Sequence, residues 1–122
     1  MYLFLSPNDS SQVFPDNTNT EYITELNKPL SGNLIVALAE FQCINLPDSC
    51  YVFCDIISPS LVKNQDLPLL RIVNKKGEPS HLHYFKVSHP NVQRIKITIT
   101  DNKLQPPKSI DNVTCTLHFK TI

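Results

Sequence analysis

The chain has 122 residues, enough for one ordinary domain. Its eleven Ile, eight Val and eight Thr stand against two Ala, a balance that excludes a helical bundle. Eleven basic and eleven acidic side chains cancel, which argues against a general nucleic-acid binder. They are unevenly placed, with seven acids and one base in residues 1–60 and four acids and ten bases in residues 61–122.

In chain order, residues 2–6 (Tyr-Leu-Phe-Leu-Ser) predict a short strand. The run has no basic flank and stops too soon for a secretory core, so secretion through a signal peptide is not expected. Residues 7–20 are polar and rich in turn formers, and predict an extended loop or an arm reaching a neighbour. Residues 21–26 predict a second strand, ended ahead of Pro29. Residues 33–42 are apolar almost throughout and follow Ser31-Gly32, the pattern of a strand buried on both faces. They hold the longest apolar run, Leu34 to Ala39, far short of the roughly 20 residues that cross a bilayer, so no membrane insertion is expected.

Residues 51–57 read as a strand ended by Pro59, residues 68–73 as another ended by Asn74-Lys-Lys-Gly77, and residues 82–87 as a weaker one. The clearest alternations follow. Ile95, Ile97 and Ile99 are spaced by Lys96, Thr98 and Thr100, and Val113, Cys115, Leu117 and Phe119 by Thr114, Thr116, His118 and Lys120. A period of two puts one face of each strand inward. The fold class predicted is all-β: a single domain over residues 1–122 forming an antiparallel eight-stranded β-sandwich of jelly-roll type.

Chemistry-bearing residues are sparse. His81 and His83 would project to one face of a strand, but a third metal ligand is missing locally, and His89 or His118 could supply it only through the fold. Cys50 and Cys54 on one strand would stand roughly 13 Å apart, too far for a disulfide. Without a secretory signal, Cys43, Cys50, Cys54 and Cys115 read as free thiols, with Cys54 and Cys115 in the core. Glu40 and Asp55 end two apolar strands and could form a carboxylate pair or two solvated edges. There is no nucleophile elbow, catalytic-cysteine signature or glycine-rich phosphate loop, so no catalytic residue, metal or cofactor is expected.

The charge asymmetry allows two readings: neutralisation within the chain, if strands of the two halves interleave, or a head-to-tail subunit contact. In the second, Asp16, Glu21 and Glu25 face Lys86, Arg94 and Lys96 across the boundary. Arg71, between Leu70 and Ile72, is either a surface side chain or a charge held at such a contact.

Tyr2-Leu-Phe-Leu-Ser6, Asp9-Ser-Ser11, Phe14-Pro-Asp-Asn-Thr18, Pro29-Leu30, Gly32 and Val36-Ala-Leu-Ala-Glu40 follow one another in order, and are followed by Tyr51-Val-Phe-Cys-Asp-Ile-Ile57, Pro68-Leu-Leu-Arg-Ile-Val73, the Ile95–Asp101 run and Val113-Thr-Cys-Thr-Leu-His-Phe-Lys120. This series resembles the penton-like minor capsid proteins of Polinton/Maverick elements and adintoviruses. Members of that family carry a long segment where this chain has only Phe41 to Cys50, so it resembles a minimal version. The resemblance implies a virion structural protein at capsid vertices, a cyclic homo-oligomer of five copies that meets the major capsid protein and has no enzymatic activity. A trimeric receptor-binding spike head and a non-viral β-sandwich module that binds a glycan or peptide remain the alternatives.

Overall fold

The computed structural model describes residues 1–46, 48–74 and 82–122. It is all-β, with no helix among the described residues. In chain order the strands are β1 (Tyr2–Leu5), β2 (Glu21–Ser31), β3 (Leu34–Ile44), β4 (Ser49–Cys54), β5 (Ser60–Val62), β6 (Gln65–Leu67), β7 (Leu69–Asn74), β8 (Phe85–Lys86), β9 (Asn91–Thr100) and β10 (Asp111–Thr121). One sheet has the order β1-β10-β3-β8 and the other β2-β9-β4-β7, while β5 and β6 form a separate two-stranded hairpin. All pairings are antiparallel, and four of them are nested, β1 with β10, β2 with β9, β3 with β8 and β4 with β7, while β3–β10 and β4–β9 join these pairs within each sheet.

The count of eight strands is thereby corrected to ten in three sheets. The hairpin leaves no turn signal in the sequence because its turn contains no glycine: Lys63 and Asn64 themselves take positive φ, 46° and 66°, as a two-residue hairpin turn requires. β2 also runs through Pro29 to Ser31, with its register to β9 interrupted between Glu25 and Leu30. An edge strand tolerates the missing N–H. Of residues 82–87 only Phe85 and Lys86 join a sheet, with an isolated bridge from Val87 to Ile57. The turn expected at Gly77 lies outside the described residues.

Period-two alternation places the core. Ile95, Ile97 and Ile99 of β9 and Val52 of β4 are buried together with Val113, Cys115, Leu117 and Phe119 of β10 and Val36 and Leu38 of β3. One phase change occurs in β3. Leu117 pairs with Leu38 but Thr116 pairs with Glu40, so Ala39 is an extra residue, and Leu38 and Phe41 can both be buried.

Between the sheets, Tyr22 is fully buried and donates its hydroxyl to the Leu5 carbonyl at 3.3 Å. Burial, with Cys115 beside it, pushes its phenol far above the ordinary value. All four cysteines are free thiols. Burial pushes Cys54 and Cys115 up to about 12 and Cys50 to about 11, and raises half-buried Cys43 as well. These thiols are protonated at neutral pH and poor nucleophiles.

Residues 7–20 fold back on their own chain as successive turns. Their polar side chains occupy the outer edge of β2. Asn17 accepts the Ile23 N–H at 2.9 Å and donates to the Ile23 carbonyl at 3.0 Å, the Thr18 N–H reaches the Glu21 carbonyl at 2.9 Å, and Ser10 Oγ accepts the Glu25 N–H at 3.0 Å. The loop thus takes the place of a fifth strand and blocks edge-to-edge pairing there.

Two outcomes follow from this packing. Ile97→Ala or Leu117→Ala should each cost about 2–5 kcal/mol in urea unfolding, because each leaves a cavity between the sheets; wild-type midpoints for both would refute the assigned core. Asn17→Ala should cost about 1–2 kcal/mol and increase aggregation on warming, because it uncovers both polar groups of Ile23. Light scattering and thermal melts of that variant measure the two effects.

Candidate functional site

On the outward face of the β1-β10-β3-β8 sheet, register brings residues from both chain ends together. Tyr2 lies opposite His118, Phe4 opposite Thr116, and His118 opposite Ala37. The rings of Tyr2 and His118 stack with centroids 4.4 Å apart. From just ahead of β8, the Tyr84 hydroxyl is hydrogen-bonded to His118 Nδ1 at 2.6 Å. Lys120 Nζ sits 4.6 Å from the centre of the Tyr84 ring. Beneath these rings Ala37 is completely buried although it is on the outer face. Tyr2 and Phe4 remain 58% and 65% exposed.

The sequence signal for this face lies in residues 2–5, where Tyr-Leu-Phe-Leu is apolar at both parities. That is the signature of a strand covered on both sides, yet only Leu5 is buried. The roles of Tyr84 and His118 depended on a tertiary pairing that no local pattern reveals.

The expected interface residues divide among three places. Glu21 and Glu25 of β2 lie beside β9, and Lys96 Nζ meets Glu21 at 2.7 Å while Arg94 Nε meets Glu25 at 3.4 Å. Two of the pairs expected across a subunit boundary therefore form within one chain, because nested pairing sets an early acidic strand against a late basic one. Both are partly exposed, and such pairs contribute about 0–1 kcal/mol each. Arg94 also lies over the Phe14 ring at 5.2 Å, and Asp16 lines a shallow depression that Lys96 shares.

Arg71 lies opposite inward-facing Val52 and donates from Nη1 to the Leu38 carbonyl of β3 at 2.7 Å. It ties the two sheets together instead of projecting from the surface. Lys86 is exposed on β8, opposite Ile35 on the other sheet from the Glu21 and Glu25 pairs.

The other constellations do not assemble. Glu40 lies opposite Thr116 in one sheet and binds Gln42 at 2.6 Å, whereas Asp55 accepts the Lys96 N–H of the other sheet at 2.9 Å. No group of three His, Cys, Asp or Glu that could hold a metal occurs among the described residues. His81 lies outside them, and His83 stacks on Phe85. On the outer face of the second sheet a groove of about 340 Å³ has Phe53, Leu67, Pro68 and Leu104 as apolar walls, with Asp55 and Lys96 also lining it.

Burial, followed by the positive charges of the amino terminus and Lys120, lowers the His118 pKa below its usual value. A histidine with a lower pKa folded than unfolded binds fewer protons in the folded state. Its contribution to stability is therefore present above the unfolded value of about 6.5 and is lost as the pH falls through that value toward the folded one. An NMR titration should place the His118 midpoint below about 6.5, and Lys120→Ala should move it upward; a wild-type midpoint at or above that value would contradict the arrangement.

Comparison with known proteins returns no matching family model, no matching curated protein and no matching solved structure.

Proposed function

We propose that the chain is a self-assembling structural protein of a viral capsid, a penton-like vertex component built on a jelly roll. The observation that carries the reading is the strand order. With the β5–β6 hairpin set aside, eight strands remain, in the orders β1-β10-β3-β8 and β2-β9-β4-β7. Their nested antiparallel pairs are those of one long hairpin rolled into two sheets, which supports the jelly-roll assignment. Viral capsid proteins, lectins and cupins use that architecture, and the resemblance of the sequence to penton-like minor capsid proteins selects the first. Both the aromatic outer face and the buried, protonated thiols suit a building block. The partners proposed are further copies of the chain in a five-fold ring and the major capsid protein, and the setting is the virion.

A second reading, a binding module, is favoured by the exposed Tyr2 and Phe4 rings, since exposed aromatics stack on sugars and on peptide side chains. Native mass measurement with negative-stain microscopy on the purified chain separates the readings. A five-copy mass, or a multiple of it, and ring-shaped particles are expected. A three-copy mass would select the spike head, and a single-chain mass at every concentration would overturn the ring.

A further inference from the structure

The treatment of the sheet edges is uneven. Side chains of residues 7–20 take the outer backbone groups of β2 at Ile23 and Glu25. The outer edge of β3 is covered by β8 at Ile35 and Val36 and by Arg71 at the Leu38 carbonyl. β1 has β10 on one side, and no strand follows it in the sheet order.

Hydrogen-bond parity shows which groups β1 presents there. The Phe119 N–H donates to the Met1 carbonyl at 2.8 Å, so Met1, Leu3 and Leu5 are the residues that exchange bonds with β10. The N–H and C=O of Tyr2 and Phe4 then point away from β10, and no partner for them occurs among the described residues. The same two residues carry the exposed rings, 58% and 65% accessible. An open edge flanked by exposed aromatic rings is a template for another strand.

We propose that β1 pairs with β1 of a second copy, antiparallel about a two-fold axis at Leu3, to join two four-stranded sheets into one. A second copy fits because its own β1 offers the same two open residues and the same exposed rings. Tyr2 and Phe4 stand symmetrically about Leu3, so in this register Tyr2 meets Phe4 of the other copy and Phe4 meets its Tyr2. Each of these is a pair whose N–H and C=O all point to the seam, giving four backbone hydrogen bonds. Each also sets an aromatic ring against an aromatic ring, a favourable cross-strand pair. One ring of each pair is Tyr2, already stacked on His118. Leu3, partly buried against the core, falls on the axis. A register displaced by one residue would set open groups against the already bonded groups of Leu3. The inference does not rest on the capsid reading, because a monomeric module would carry the same edge.

Two engineered cysteines test the register in a Cys43→Ser background, where the remaining native thiols are buried. On the two-fold axis the Leu3 Cα atoms would be about 4.5 Å apart, within disulfide range. Leu3→Cys should therefore give a covalent dimer under mild oxidation. Tyr2→Cys should not, since the two copies of that position lie on a diagonal about 7–8 Å apart.

In the wild-type protein, amide exchange at Tyr2 and Phe4 should slow as concentration rises, while exchange at other exposed amides stays constant. Phe4→Pro removes a seam N–H without touching the bonds to β10, and should raise the dissociation constant of the pair at least about tenfold. If Leu3→Cys stays monomeric, if Tyr2→Cys cross-links equally well, or if Tyr2 and Phe4 exchange at one rate at all concentrations, the proposal is overturned. A five-copy ring that persists in Phe4→Pro would separate the ring contact from this one, and loss of the ring in wild type would leave the cross-linking result unaffected.

Discussion

The ladder between β3 and β10 carries the architecture. Both strands are eleven residues long, and they run together from Leu34 opposite Thr121 to Ile44 opposite Asp111. Every other strand of that sheet hangs on this pair, β1 on the β10 side and β8 on the β3 side. The ladder also fixes what the other sheet must cover, because the bulge at Ala39 turns both Leu38 and Phe41 inward. Tyr22 from β2 and Arg71 from β7 then reach across the gap, the first to the Leu5 carbonyl and the second to that of Leu38. Since the pairs are nested, the ladders join residues far apart in sequence, with Tyr2 beside His118 as the extreme. Such topologies close large loops before their contacts reward them, which places the chain among slow folders.

Strand identity was legible wherever one face is wet and the other dry. Ile95, Ile97 and Ile99, and Cys115, Leu117 and Phe119, are all buried as their alternation requires. Legibility failed where backbone chemistry overrode side-chain pattern. Pro29 reads as a terminator, yet an edge strand accommodates it. Lys63 and Asn64 make a hairpin turn with no glycine to announce it. Residues 55–57 read as the end of a strand, but β4 stops at Cys54, and Asp55 instead uses its carboxylate to hold the Lys96 N–H.

The site was less legible than the fold, for a different reason. Opposed charge in the two halves of the chain says that complementary surfaces exist and nothing about whose they are. The topology decides that for Glu21, Glu25, Arg94 and Lys96, by laying β2 along β9. Arg71 sits among apolar residues because it faces the interior at the edge of its sheet, where a long side chain with several donors can reach a carbonyl that no strand partners. Residues 2–5 read only as a short strand, and it is the register of β1 on β10 that shows Tyr2 and Phe4 lying outward with His118 and Leu5 lying inward.

Edge treatment also limits how the molecule can associate. A sheet grows only where backbone donors and acceptors are open, and on β2 they are taken by Asn17, Thr18 and Ser10. In the other sheet they stand open at β1, where the proposed pairing of like with like would be two-fold and would close on itself after one partner. A ring needs the opposite kind of contact, one surface against a different surface, and must therefore use faces and loops away from the β1 seam. The two contacts have separate consequences: the ring contact alone stops at a ring, the seam alone stops at a pair, and only together do they extend from ring to ring. Under the two proposals a chain of this size would hold both kinds of symmetry element, because the ring would be built from side-chain surfaces and the pair from four backbone groups on a strand of four residues.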